Sequence, residues 1–265
     1  MMKLGIIENW DENGFRHAKA LGLDAVEFTY NGGNDPDKLL EMVPDIRTWT
    51  IRYEIEVGSI GRWGENKFDN DGNLIEAVLQ DNLKLIDVCA ALECPVFVTG
   101  VNWVDGKSFE ENCANAVAYL TRVNDYAKEK GVKVAVYNCD WSNFVRDPRT
   151  WAEVLTRVPG VGIKYDPSHC INVGSGRYLE EIAAWGDKIY HFHIKGTLNV
   201  DGEHVDDPPA GLDMINWRAV MGLLYAKRYD GMLSIEPHSH TWTGDLGEWG
   251  IRLTAAYIKP MVYGG

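Results

Sequence analysis

The sequence has no dense run of Lys and Arg, and its formal net charge is −13 over 265 residues. Such a surface repels a phosphate backbone, so no nucleic acid partner is expected. Long hydrophobic runs are also missing. The first apolar run, Leu4 to Ile7, stops at Glu8, too short for a secretory core and far too short for a bilayer. A cytoplasmic protein with no membrane attachment is therefore expected. The five cysteines, Cys89, Cys94, Cys113, Cys139 and Cys170, are odd in number and lack C-x-x-C spacing, so neither disulfides nor a structural zinc is expected. No linker or low-complexity stretch divides the chain, and one domain over residues 1–265 follows.

What is present is an alternation of short apolar runs with longer segments of helical periodicity. Eight runs lie near Leu4–Ile7, Ala25–Thr29, Tyr53–Ile60, Val96–Val101, Val132–Asn138, Val161–Asp166, Ile189–Lys195 and Met232–Pro237. Helices are predicted near Gly14–Leu21, Pro36–Trp49, Leu74–Leu92, Phe109–Lys130, Pro148–Val158, Tyr178–Trp185, Trp217–Arg228 and Leu246–Ile258. Lys130-Gly131 reads as a helix end, and Asp147-Pro148 as an N-cap followed by a first-turn proline. Strand then helix, eight times, leaves a closed barrel or an open doubly wound sheet. The first strand is followed by Ile7-Glu8-Asn9-Trp10-Asp11, which has no glycine cradle for a pyrophosphate, so the α/β class narrows to a single (β/α)8 TIM barrel.

A barrel of this kind places its chemistry at the C-terminal ends of its strands. Three adjacent strand ends carry Asp166, His193 and Glu236, and two carboxylates with an imidazole suit Mn, Mg, Co or Zn. Each has a plainer reading: Asp166 as the cap of a turn before Pro167, His193 as a hydrogen-bonded core histidine, Glu236 as an ion-pair partner. His191 shares the inward face with His193 but lies deeper, as a packing or supporting residue. His169, three residues after Asp166, has the chemistry to bond a substrate hydroxyl or move a proton, and Lys195 to balance carboxylates or contact an anionic group. Trp10, Trp63, Trp103 and Trp141 follow strands and are placed to stack on a sugar's C–H face or simply to pack their loops. Trp185 and Trp217 fall at helical, core-like positions.

The runs Asp166-Pro167-Ser168-His169, His191-Phe192-His193-Ile194-Lys195 and Tyr229-Asp230-Gly231 leading into Leu233-Ser234-Ile235-Glu236-Pro237-His238 resemble, in that order, the xylose-isomerase-like TIM-barrel family of sugar phosphate isomerases and epimerases. Ala20-Leu21-Gly22-Leu23-Asp24-Ala25-Val26-Glu27 resembles its first helix and second strand. The resemblance implies a divalent metal held by Glu, Asp, His and Glu, with carboxylates moving protons beside a carbonyl. Asp166, His193 and Glu236 match three of the ligands, and His169 matches a histidine that contacts substrate. The fourth ligand falls within Val134–Asn138, where Tyr137 stands. A neutral phenol is a poor ligand for a hard cation. Asp140, a few residues on, is the alternative carboxylate. Gly196 stands where relatives often carry Asp.

The expectation is a metal-dependent isomerase or epimerase of a small sugar or sugar-like polyol. Glu236, His169 and Lys195 are its catalytic candidates, and Trp10, Trp103, Tyr137 and His169 its substrate contacts. The alternatives are a hydrolase or lyase of the same superfamily, or a sugar-binding barrel that has lost one ligand. A homodimer is compatible with the loop aromatics.

Overall fold

Residues 1–263 are described by the computed structural model. Eight parallel strands close into a barrel: β1 (Lys3–Ile7), β2 (Ala25–Thr29), β3 (Glu56–Gly61), β4 (Val96–Thr99), β5 (Lys133–Tyr137), β6 (Val161–Tyr165), β7 (Ile189–Ile194) and β10 (Met232–Ile235), which returns to β1. Two further strands, β8 (Leu198–Val200) and β9 (Glu203–Asp206), form a separate antiparallel hairpin after β7. The helices are α1 (Glu12–Ala20), α2 (Pro36–Glu41), α3 (Val43–Tyr53), α4 (Glu76–Ala91), α5 (Phe109–Glu129), α6 (Pro148–Val154), α7 (Pro167–Asn172), α8 (Tyr178–Trp185), α9 (Trp217–Ala226) and α10 (Gly244–Ile258).

All eight expected barrel strands form, but four local features differ from the expectation, one of them the short helix α7 between β6 and α8, where none was expected. The helix expected over Pro36–Trp49 is broken into α2 and α3 at Met42, because Pro44 has no N–H to continue the first ladder. Tyr53, expected in a strand, ends α3, and β3 begins only at Glu56. The hairpin was not anticipated, although its turn is Asp201-Gly202, with both φ values positive at 52° and 85°, the geometry an Asp-Gly hairpin requires. Other boundaries follow expected chemistry. Asp147 caps α6 with Pro148 in its first turn, Ser108 and Glu111 form a capping box on α5, and Gly131 after α5 has φ 73°.

The outer faces of the strands join the helices in one large apolar core that includes Phe15, Phe28, Leu85, Leu120, Trp151 and Trp217. Inside the barrel the apolar filling is confined to one sector, where Trp63, Val96, Val98, Ala135 and Tyr137 pack together on the β3, β4 and β5 side. Below it, the Met232 side chain occupies the space that Gly5 and Gly58 leave by having no Cβ. The rest of the interior is polar and buried: Glu27, Ser59, Lys164, Asp166, His191, His193, Lys195 and Ser234. Burying that many polar groups is costly unless they serve one another or a ligand.

Candidate active site

Strand alternation assembles the polar sector. On β7, His191 and His193 share one face, and Lys195, the residue after the strand ends at Ile194, continues it. On β6, Lys164 faces inward, and Asp166 follows at the strand end. Parallel register sets Lys164 beside Tyr137 on one side and His191 on the other, and His193 beside Ser234.

Asp166 does two things at once. Its Oδ1 accepts from Ser168 N at 2.9 Å, capping α7, which is the turn-capping role its position before Pro167 suggests. Its Oδ2 is buried and makes no hydrogen bond, yet has Lys195 Nζ at 3.3 Å, His169 Nε2 at 3.3 Å and Lys164 Nζ at 3.9 Å around it. The Asn138 side chain holds the Asp166 backbone from both ends, with 2.9 Å bonds to its N and its O. Burial would raise the Asp166 carboxyl, but the charges of Lys195, His169 and Lys164 outweigh it and hold the group well below its ordinary value.

His193 lies between two carboxylates, with Nδ1 2.5 Å from Glu236 Oε2 and Nε2 2.9 Å from Glu27 Oε2. Burial disfavours its charge, but Glu27 and Glu236 together raise it. Glu27 also meets His191 Nε2 at 2.8 Å, so one buried carboxylate orients both histidines. For Glu236, as for Glu27, burial is outweighed by neighbouring positive groups, led for Glu236 by Lys195 and His193, and the carboxyl lies well below its usual range. His169 is driven the other way. Burial and the nearby ammonium groups push it down to about 4, in spite of Asp166, so its imidazole is neutral at pH 7 and open to accept a proton.

One ligand atom from each of Asp166, His193 and Glu236 lies within 4.8 Å of the others, as does one from each of Glu27, His191 and His193. The first set therefore has both the donor types and the spacing for a divalent ion, and the unpartnered Asp166 Oδ2 is a lone-pair donor of the kind such an ion takes. Asp166, His169, His193, Lys195 and Glu236 thus come together as one cluster.

The aromatic candidates do not join it. Tyr137 is 1% exposed, stacks on Trp63 with ring centroids 5.6 Å apart, and donates its hydroxyl to Trp141 O at 2.6 Å. Its expected role as a substrate contact gives way to packing of the barrel wall, and Trp63 is buried there rather than ringing the mouth. Trp10 packs edge-on against Tyr30, and Trp103 is 43% exposed beside Phe144. Asp140 turns outward to Arg146 at 3.2 Å and is 72% exposed, so it supplies no carboxylate to the cluster. Gly196 has no room for a side chain, because the Pro208 carbonyl fills the place of a Cβ. Two open cavities adjoin the mouth, one of about 590 Å³ reaching His169 and Asn138, the other of about 530 Å³ along Trp103.

The family model described as xylose isomerase-like TIM barrel matches residues 15–258. The chain belongs to this family. Solved structures similar to this xylose isomerase-like barrel include a 3-keto-D-glucoside 4-epimerase from E. coli at 16% identity and TM-score 0.76, covering 98% of this chain and 100% of that one. A D-allulose 3-epimerase from Methylomonas sp. is similar at 18% identity and TM-score 0.76, covering 98% of each chain. The IOLI protein, solved with a zinc atom, is similar at 19% identity and TM-score 0.75, again over 98% of each chain. At these identities the likeness is one of fold. No curated protein matches the sequence.

Two members of the cluster escaped the sequence reading. Glu27 was legible as a lone charge inside the apolar strand Ala25–Thr29, and Lys164 as a lone charge inside Val161–Tyr165. In both cases a single charge in a buried strand is the signal, since such a residue needs a partner inside the fold.

Proposed function

We propose that the protein is an isomerase or epimerase of a small sugar or sugar-like polyol, moving a proton on a carbon next to a carbonyl. One observation carries this reading: of the six buried side-chain atoms without a hydrogen-bond partner among the described residues, three, Asp166 Oδ2, His191 Nδ1 and Ser234 Oγ, belong to the polar sector of the barrel, and a fourth, Ser168 Oγ, is two residues from Asp166 on α7. Unsatisfied buried polar atoms gathered in one place call for a polar ligand, and a polyol offers both donors and acceptors.

Asp166, His193 and Glu236 would hold a divalent ion, Mn, Mg, Co or Zn. When bound, the ion supplies polarisation of a carbonyl and an adjacent hydroxyl oxygen. Glu236, the most open of the three at 20% exposure, stands at the mouth as the base that takes the proton from carbon. Neutral His169, on the cavity wall, accepts or returns a proton at a substrate oxygen. Lys195 Nζ, 3.3 Å from Asp166 and 3.4 Å from His169 Nε2, keeps the first ionised and the second neutral. Glu27 fixes the His193 ring, and the burial of the cluster excludes water from the reacting carbon. Action on a sugar agrees with the epimerases among the similar structures.

Elemental analysis of the purified protein tests the metal set. One divalent ion per chain, lost in both Asp166→Ala and Glu236→Ala, is the expected result; no ion after incubation with Mn, Co and Zn would overturn it. A second reading, a sugar-binding barrel without turnover, is favoured by Tyr137, which puts no carboxylate where the family's fourth ligand falls. That reading expects ligand binding with no exchange of carbon-bound hydrogen.

A further inference from the structure

Lys164 is a buried charge that the scheme above leaves unused. Its side chain is 2% exposed, and its Nζ makes no hydrogen bond among the described residues. Its one carboxylate neighbour within 4 Å is Asp166 Oδ2 at 3.9 Å, beyond hydrogen-bond length. An ammonium carries three donors, and with the Lys164 stem buried none of the three is taken up by a hydrogen bond among the described residues. A counter-ion role for Asp166 does not account for it. That oxygen already has Lys195 and His169 closer, both at 3.3 Å, while Glu236 is matched by His193 at 2.5 Å. Lys164 is the cation of the cluster with no carboxylate at hydrogen-bond distance. Its location is central, since its charge bears on Asp166, His169, His193 and Glu236 alike.

The register supplies the second observation. Lys164 is level with Tyr137 on the neighbouring strand. A Glu at 137 would stand next to Lys164 and neutralise it, whereas a phenol whose hydroxyl is committed to Trp141 O leaves the ammonium free.

We propose that Lys164 is a catalytic residue whose ammonium donates to the substrate oxygen that becomes negatively charged as the neighbouring carbon loses its proton. This rests on the proton-transfer reading. Glu236 takes the proton, the C–H electron pair forms a C=C bond, and the carbonyl π pair moves onto oxygen, giving an enediolate. Lys164 holds that oxygen by a charge-assisted hydrogen bond. Return of a proton to carbon re-forms the carbonyl, and Lys164 ends as it began.

The test pairs Lys164→Met with Lys164→Gln, which keeps a donor but loses the charge. Glycolohydroxamate, a planar mimic of a cis-enediolate, is titrated calorimetrically into chelator-treated protein, with each variant's melting temperature recorded. Exchange of carbon-bound hydrogen is followed in D2O with D-fructose and a panel of other ketoses. Binding weakened at least about tenfold in Lys164→Met and less in Lys164→Gln, exchange slowed about 100-fold, and a melting temperature kept or raised are the expected results. Wild type that exchanges, with a Lys164→Met protein that binds and exchanges equally well, overturns the proposal and leaves the proton-transfer reading standing. A lowered melting temperature with unchanged binding makes Lys164 a structural counter-ion and also overturns it. Wild type that neither binds nor exchanges removes both readings.

Discussion

Asp166 carries two demands on one side chain, a helix cap through Oδ1 and a buried, charge-surrounded Oδ2. Replacing it by Asn retains the cap acceptor but leaves Lys195 without its carboxylate. Stripping one partner from a buried ion cluster costs about 3–5 kcal/mol, so Asp166→Asn is expected to lower the urea midpoint clearly. Glu27→Gln leaves the three proposed ligands in place but releases both histidine rings, and loss of such an orienting carboxylate lowers metal affinity about 10- to 100-fold. Calorimetric titration with Zn checks this; affinity unchanged in Glu27→Gln would mean that Glu27 does not orient the site. At this scale the sequence was informative wherever strand period and strand end coincided, as for Asp166, His193, Lys195 and Glu236. Glu27 and Lys164 stand out as lone charges in apolar strands, but their partners do not, because only closure of the barrel brings β2 against β7. Nor does sequence spacing reveal where a phenol hydroxyl points, which is why Tyr137 was misread.

Among elements, the barrel strands were legible because each is a short apolar run closed by polar residues. The hairpin β8–β9 was not, since its flanks, Leu198–Val200 and Glu203–Asp206, are three and four residues long, too short for an alternation to stand out. Its Asp201-Gly202 turn was the available signal. The hairpin matters to the site because Asp207, next after β9, bonds His238 Nδ1 at 3.0 Å on the loop that follows Glu236. Gly202→Val puts a branched side chain at φ 85°, and the variant is expected to loosen the hairpin, read as faster amide exchange at Val200 and Glu203, with the barrel unaffected. Gly196→Asp meets the Pro208 carbonyl; it is expected to destabilise the chain rather than add a working carboxylate, and thermal melting decides which. Asp147→Ala removes the α6 capping box and is expected to cost about 1 kcal/mol in urea unfolding.

For the whole molecule, acid stability follows from carboxylates held below their ordinary values. Glu65, buried beside Arg62 and Lys67, falls from 4.5 to about 2 despite the opposing effect of burial, and Glu27, Asp166 and Glu236 move in the same direction. Below about pH 4.5 the unfolded chain binds these protons first, so their stabilisation is fully present above that pH and is lost as pH falls toward 2. His17 has the opposite sign. Burial works against its charge, but Glu8 and Glu248 raise it, so its contribution is present below pH 6.5 and fades as pH rises through the raised value. His169, held down to about 4, loses its contribution as pH falls from 6.5, so urea midpoints should decline below pH 6.5 and drop most steeply between pH 4.5 and 3; a flat midpoint down to pH 3 would contradict the buried charge arrangement. Among the described residues no helix is long and apolar enough to cross a membrane. The net charge of −13 and the barrel closure were both readable from the chain, the first directly and the second from eight strand–helix alternations.

The most direct measurement is the exchange of carbon-bound hydrogen when the protein, supplied with Mn or Co, is incubated in D2O with ketoses and followed by proton NMR. Proton transfer by Glu236 predicts deuterium at the carbon beside the carbonyl of at least one ketose, slowed about 100-fold or more in Glu236→Gln. No deuterium in any ketose, from protein shown to carry its metal and to bind sugar, would contradict the isomerase reading and leave a binding barrel.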